Sequence, residues 1–145
     1  MPDIRIVWNA AQGRGDWSVA IDDLDTSDTL QTAALLSLFT DKRAPDSLKI
    51  YSTDRRGWWG DTYGDRPLGS LLWTLERAIK SDGVEVLRRA EGYCSDALQW
   101  LIDDGVVASI SVTASWFSQT NLGVYIAITQ PDGTVTKYTW AWSTV

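Results

Sequence analysis

Residues 97–116 read Ala-Leu-Gln-Trp-Leu-Ile-Asp-Asp-Gly-Val-Val-Ala-Ser-Ile-Ser-Val-Thr-Ala-Ser-Trp, and within this stretch the hydrophobic period falls from helical to two. On the upstream side Leu87, Ala90, Cys94, Ala97, Leu98 and Leu101 share one helical face, and Asp103-Asp104-Gly105 is a helix stop whose glycine can take the left-handed conformation. Downstream, Val106, Ala108, Ile110, Val112, Ala114 and Trp116 alternate with Val107, Ser109, Ser111, Thr113 and Ser115, the pattern of a strand with one buried face. Helix gives way directly to sheet.

The period of two continues through Leu122, Val124, Ile126 and Ile128. Pro131-Asp132-Gly133 is a tight turn, because Asp-Gly suits the positive φ angles of a hairpin. A last strand then carries Tyr138, Trp140 and Trp142 on one face. Working back from residue 97, Asp82 and Glu85 have capping-box spacing for the helix that ends at Gly105. Leu68, Leu71, Leu72, Leu75 and Ile79 recur at helical spacing and predict a further amphipathic helix, with Gly83 ending it.

From Thr40 to Arg66 no period is sustained, and only Leu48-Lys49-Ile50-Tyr51 could form a short strand. Before that, Asp28 and Gln31 are spaced as a capping box for a helix reaching Leu38 or Phe39, in which Leu35 and Leu36 thicken the apolar stripe enough to imply burial on more than one side, with a buried strand as the competing reading. At the N-terminus, the runs Ile4, Val7, Trp8 and Trp17, Val19, Ile21 flank Ala10 to Gly15 and read as a hairpin. The expected fold is therefore α+β: an N-terminal β-hairpin, three helices and a C-terminal three-stranded antiparallel meander, in one domain spanning 1–145.

Composition narrows the functional classes. The net charge of -6 and pI near 4.5 leave no electrostatic footprint for phosphates, so nucleic acid is not an expected partner. No run of about 18 apolar residues would cross a membrane and no basic-then-apolar leader is present, so a soluble chain without an export address is expected. The single cysteine, Cys94, cannot form an internal disulfide and reads as a small buried hydrophobe, which suits a reducing cytoplasm.

Catalytic chemistry is hard to find. There is no histidine, which removes His-based triads, histidine metal ligands and the commonest general base. Neighbouring carboxylates occur at Asp22-Asp23, at Asp103-Asp104 and more loosely at Asp54, Asp61 and Asp65, but acidic pairs in loops and at helix ends are usually solvated surface. The glycines around residue 60 lack the lysine and spacing of a phosphate-binding loop. No cofactor and no metal is expected.

The nine tryptophans are the compositional oddity, more than a chain of 145 residues needs to fill its core. Two of them are adjacent, in Arg56-Gly57-Trp58-Trp59-Gly60-Asp61. Such a loop either plugs its own core or offers a knob to a partner. Adjacent residues of extended backbone point to opposite sides, so one indole is expected to pack against the 68–79 helix while the other projects.

This loop, with Leu38-Phe39-Thr40-Asp41-Lys42-Arg43, Leu68-Gly69-Ser70-Leu71-Leu72-Trp73, Ala97-Leu98-Gln99-Trp100-Leu101-Ile102-Asp103-Asp104-Gly105 and Pro131-Asp132-Gly133, resembles the Mu-like phage gene product 46 family over nearly the whole chain. Gly-Trp-Trp-Gly-Asp is the most specific part. The resemblance implies a non-enzymatic baseplate wedge subunit of a contractile tail, assembled in the host cytoplasm and sited in the virion tail baseplate. Its implied partners are other wedge proteins and the tail sheath and tube, with the isolated chain a monomer or small oligomer. More distantly the chain resembles wedge and sheath-initiator proteins of other contractile systems, whose domain was at one time taken for lysozyme-like. Those relatives dock through a Glu-Pro-Arg triad where helix meets sheet; here that stretch is Leu101-Ile102-Asp103-Asp104-Gly105-Val106, without proline or arginine.

Partner contacts are accordingly expected at Trp58, Trp59 and Asp61, at the Asp103-Asp104 corner, and along the last strand at Tyr138, Trp140 and Trp142. In the sheath-initiator relatives an edge of the C-terminal sheet accepts a strand from the first sheath subunit, which makes residues 134–145 the corresponding edge by resemblance. The alternative is a glycan-binding or peptidoglycan-hydrolysing tail domain, with tryptophans as sugar platforms and carboxylates as acid and base.

Overall fold

A computed structural model describes residues 4–17, 29–50, 53–63, 66–75 and 83–144. The hairpin pairs β1 (Ile6–Asn9) antiparallel to β2 (Arg14–Trp17), with Ile6 opposite Trp17 and Asn9 opposite Arg14. Its second strand thus starts earlier than expected, and Arg14 and Gly15 belong to the strand rather than to the turn. Gly15 is needed there, since a Cβ would lie 2.7 Å from Ile6 Cγ2. Val19 and Ile21 lie outside the described residues, as do Asp28 and Asp82 of the two expected capping boxes.

Helix α1 (Thr29–Phe39) buries Thr32, Ala34, Leu35, Ser37 and Leu38, so it is enclosed on more than one side as its thick apolar stripe implied. Polar contacts hold those sides. The Thr32 hydroxyl accepts from the Ile6 N–H and donates to the Ile4 carbonyl, fastening the hairpin. On the other flank, Trp100 Nε1 donates to Ser37 Oγ at 2.9 Å, joining α1 to helix α2 (Val84–Asp103).

The expected helix over 68–79 is a correction. Among the described residues there are two α-helices, not three, and residues 68–75 are irregular until a 3-10 turn at Leu72–Leu75. Residues 76–79 lie outside the described set. The apolar spacing does report burial, since Leu72 and Leu75 are both inside. Helix formation loses to pairing with the segment after α1: Ser70 forms a parallel bridge with Asp41, Ser70 N–H donates to the Thr40 carbonyl (2.9 Å), Lys42 N–H donates to the Ser70 carbonyl (3.0 Å) and Ser70 Oγ donates to the Leu38 carbonyl. Gly69 makes this possible. Its φ is +111°, and a Cβ there would lie 2.3 Å from the Thr40 carbonyl oxygen, so a side chain would break the pairing. Residues 48–50 form no strand either; Arg55 instead donates to the carbonyls of Pro45 and Leu48 and folds this stretch around its guanidinium.

Gly83 serves as the N-cap of α2, with φ +86°, and the residues before it, 76–82, on which the expected helix end falls, lie outside the described set. The helix buries Val86, Ala90, Cys94, Ala97, Leu98 and Leu101. It ends where the glycine predicts: Gly105 has φ +73°, and Val106 N–H reaches back to the Leu101 carbonyl at 2.9 Å. The chain then enters a meander of β3 (Ser109–Trp116), β4 (Asn121–Thr129) and β5 (Val135–Ser143), in that spatial order and antiparallel throughout. Ala114, Leu122, Val124, Ile126, Ile128 and Trp140 are buried in the same core as the apolar stripe of α2. The 131–133 turn closes as expected, with Gly133 at φ +90°. There the Thr134 N–H donates to Asp132 and holds its carboxyl below the usual carboxylate range.

Candidate functional site

The paired tryptophans stand on a braced platform. Trp73, fixed by donation from Nε1 to the Lys42 carbonyl (2.8 Å), carries the Arg56 guanidinium 4.6 Å above its ring centroid. Arg56 also meets Asp41 Oδ2 at 2.7 Å. The backbone then passes through two left-handed residues, Arg56 (φ +56°) and Gly57 (φ +117°), an arrangement that is costly for arginine and marks a conformation imposed by its surroundings. Trp58 is extended, and a short 3-10 turn follows over Trp59–Thr62.

Neither indole plugs the core, which corrects the expectation that one would pack against a 68–79 helix. Trp58 is 41% exposed and lies across Gly60, where a Cβ would fall 2.2 Å from the ring. Trp59 is 76% exposed and Tyr63 84%. The Trp58 and Trp59 ring centroids are 5.6 Å apart, and Tyr63 meets Trp59 edge-on at 6.3 Å. Exposed aromatics grouped in this way form a knob rather than a plug.

The carboxylates beside the knob are engaged within the chain. Asp61 Oδ1 accepts the Leu68 N–H at 2.8 Å and closes the loop. Asp104 receives Arg66 Nη2 on both oxygens, at 3.0 and 2.9 Å, so the loop's exit is tied to the end of α2. Asp103 accepts from Gln99 Nε2 at 3.1 Å on the helix surface. The Trp-Trp loop and the Asp103-Asp104 corner are thereby mechanically linked, and a groove of about 400 Å³ lined by Lys42, Arg66, Leu68, Asp96, Trp100 and Asp103 runs between the 66–69 segment and the C-terminal half of α2.

The β5 aromatics are placed differently. Trp140 is 5% exposed and belongs to the core; Tyr138 stacks on it at 5.2 Å, and Trp142 meets Phe39 edge-on at 5.5 Å. All three share one face as the alternation implied, but it is the inward face. What β5 presents outward is its backbone, as an edge strand with Lys137 its one charged residue. Sequence reading missed Tyr63, Arg56, Arg66 and Trp8 as parts of these surfaces; the alternation of Arg and Asp through residues 54–66 was the available sign of a braced loop.

A family model for phage protein GP46 matches residues 30–135, which takes in α1, the aromatic loop, α2, β3 and β4. The chain belongs to the phage protein GP46 family. Among GP46 relatives, the baseplate protein gp46 of Escherichia phage Mu is 49% identical over 142 residues, covering 95% of this chain and 94% of the Mu protein. The Mu-like prophage FluMu protein gp46 of Haemophilus influenzae is 40% identical over 141 residues, covering 97% of this chain and 96% of that protein. Both alignments extend past the GP46 family match at each end, so the likeness reaches into the N-terminal hairpin and into β5.

Proposed function

We infer that this GP46-family chain is a structural subunit of a phage tail baseplate, in the wedge of a contractile tail, joining the wedge scaffold to tube and sheath. The observation that carries the baseplate reading is the near-full-length identity to the Mu baseplate protein. A non-enzymatic role is supported by the chain's own chemistry: it has no histidine, and Asp61 and Asp104, two carboxylates that a hydrolase would draw on, are held in hydrogen bonds within the chain.

Two surfaces serve assembly in this reading. The first is the knob of Trp58, Trp59 and Tyr63, held by Asp61 and by the Arg66–Asp104 pair. Grouped aromatics of this kind act as anchors in protein interfaces, because they bury large area at little entropic cost. Asp103 lies on the rim of the same region. The second is the outer edge of β5, which accepts an extended segment of a neighbouring tail protein, the first sheath subunit by family resemblance. Tyr138, Trp140 and Trp142 act there by fixing the strand from inside. The isolated chain is a monomer or small oligomer, and its net negative charge opposes self-association.

The test is complementation of a phage lacking the gene with Trp59→Ala and with the double variant Trp59→Ala/Tyr63→Ala. Both variants fold and melt close to the parent, and the double variant yields no complete baseplates. Normal plaque yield from the double variant would show that the knob has no assembly role.

A further inference from the structure

On each edge of the meander a side chain covers one outward backbone group. In the β3–β4 register, Ser109 pairs with Thr129 and Trp116 with Leu122, and Phe117 N–H bonds the Asn121 carbonyl at 2.9 Å. Antiparallel pairs alternate between bonded and non-bonded, so the even-numbered residues of β3 turn their N–H and C=O groups away from β4. One of these outward donors is covered: Ala114 N–H donates to Glu91 Oε1 of α2 at 3.0 Å.

On the other side, Thr144 N–H bonds the Thr120 carbonyl and Gln130 N–H the Thr134 carbonyl, both at 2.8 Å. With Asn121 opposite Ser143 and Thr129 opposite Val135, these bonds assign the even residues of β5 to β4 and turn Val135, Lys137, Thr139 and Ala141 outward. The Ala141 carbonyl is covered as well. Trp8 Nε1 donates to it at 2.7 Å. The indole is clamped in place, stacked on Phe39 at 3.9 Å and 10°, while Phe39 in turn meets Trp140 and Trp142 edge-on.

We propose that Trp8 is a register-setting stop for strand addition: an extended segment can pair with β5 over Val135–Thr139 but not at Ala141, where the indole occupies the position its backbone would need. This rests on the reading of β5 as a strand-accepting edge. Sheets commonly protect edges with charges or bulges, but this strand has little charge, so a side chain blocking one end of it limits the register and length of what can pair. The accepted segment is extended and about five residues long, with an acidic or neutral side chain beside Lys137.

Hydrogen–deuterium exchange at single-amide resolution tests this on purified tails containing the parent chain, and on tails carrying Trp8→Phe, which keeps a ring on Phe39 and removes the N–H. Each is compared with the corresponding isolated chain. In parent tails the Lys137 and Thr139 amides slow by about tenfold or more relative to the isolated chain, and the Ala141 amide does not. In Trp8→Phe tails the slowing extends to Ala141. Slowing at Ala141 in parent tails overturns the stop while leaving strand addition standing. Unchanged exchange at both Lys137 and Thr139 overturns strand addition itself and the stop with it.

Discussion

Truncating each of the paired tryptophans in turn separates a supporting ring from a presented one. Tryptophan offers about 200–250 Å² for burial, at about 25 cal/mol per Å². With Trp59 at 76% exposure, Trp59→Ala removes only about a quarter of that area from packing, or about 1.4 kcal/mol. Trp58, at 41% exposure and lying across Gly60, loses about 3 kcal/mol on the same arithmetic. Both are upper figures, because an unfolded chain already buries part of its apolar surface. At about 3 °C per kcal/mol for a chain of this length, Trp58→Ala melts about 10 °C below the parent and Trp59→Ala within about 4–5 °C. Circular dichroism melts of the two variants and the parent, with urea titrations for ΔG, make the measurement. The rings touch, so the double variant costs less than the sum. Equal losses from the two truncations, or a larger loss from Trp59→Ala, would refute the placement of Trp59 as the outward ring.

Gly69→Ala forces a side chain against the Thr40 carbonyl at positive φ and costs more than about 2 kcal/mol, whereas Gly92→Ala, on the exposed side of α2 with nothing within 4 Å, stabilises by up to about 1 kcal/mol; urea midpoints read both. Asp104→Asn weakens the Arg66 bracket without emptying the core, so it lowers stability by about 1 kcal/mol or less and speeds amide exchange near Leu68 more than in the sheet. Cys94 has its thiol pushed up from 9.0 to about 12, by burial first and by the Glu91 charge second. Because the folded state holds that proton more tightly, the stabilisation is complete below pH 9 and is lost as pH rises towards 12. The parent should therefore lose stability between about pH 9 and 11 more steeply than Cys94→Ala, by up to about 1.4 kcal/mol per pH unit.

The parts of the fold set by local periodicity were legible in the sequence. Alternation from Ile110 to Trp116 and from Leu122 to Ile128, with Asp132-Gly133 between the last strands, specified the meander, and Gly105 marked the end of α2 correctly. What failed was decided by contacts distant in sequence. The leucine spacing at 68–75 is helical, but Ser70 pairs with Thr40 and Lys42 through backbone groups that leave no trace in side-chain pattern. Gly69 inside an apparently helical run was the one local hint. Likewise nothing in Gly-Trp-Trp-Gly indicates which ring is supported, because Trp58 rests on Gly60 two residues away rather than on any periodic neighbour. On β5, alternation correctly grouped Tyr138, Trp140 and Trp142 but could not say that their shared face turns inward, towards Phe39 and the core. The Trp8 contact with Ala141 joins the two ends of the chain and has no sequence signal at all.

The most direct test of the account is a density map of the intact tail at side-chain resolution. It should contain this chain in the baseplate, with the Trp59 and Tyr63 rings buried against a different polypeptide. A baseplate that lacks the chain, or one in which both rings face solvent, would contradict the account.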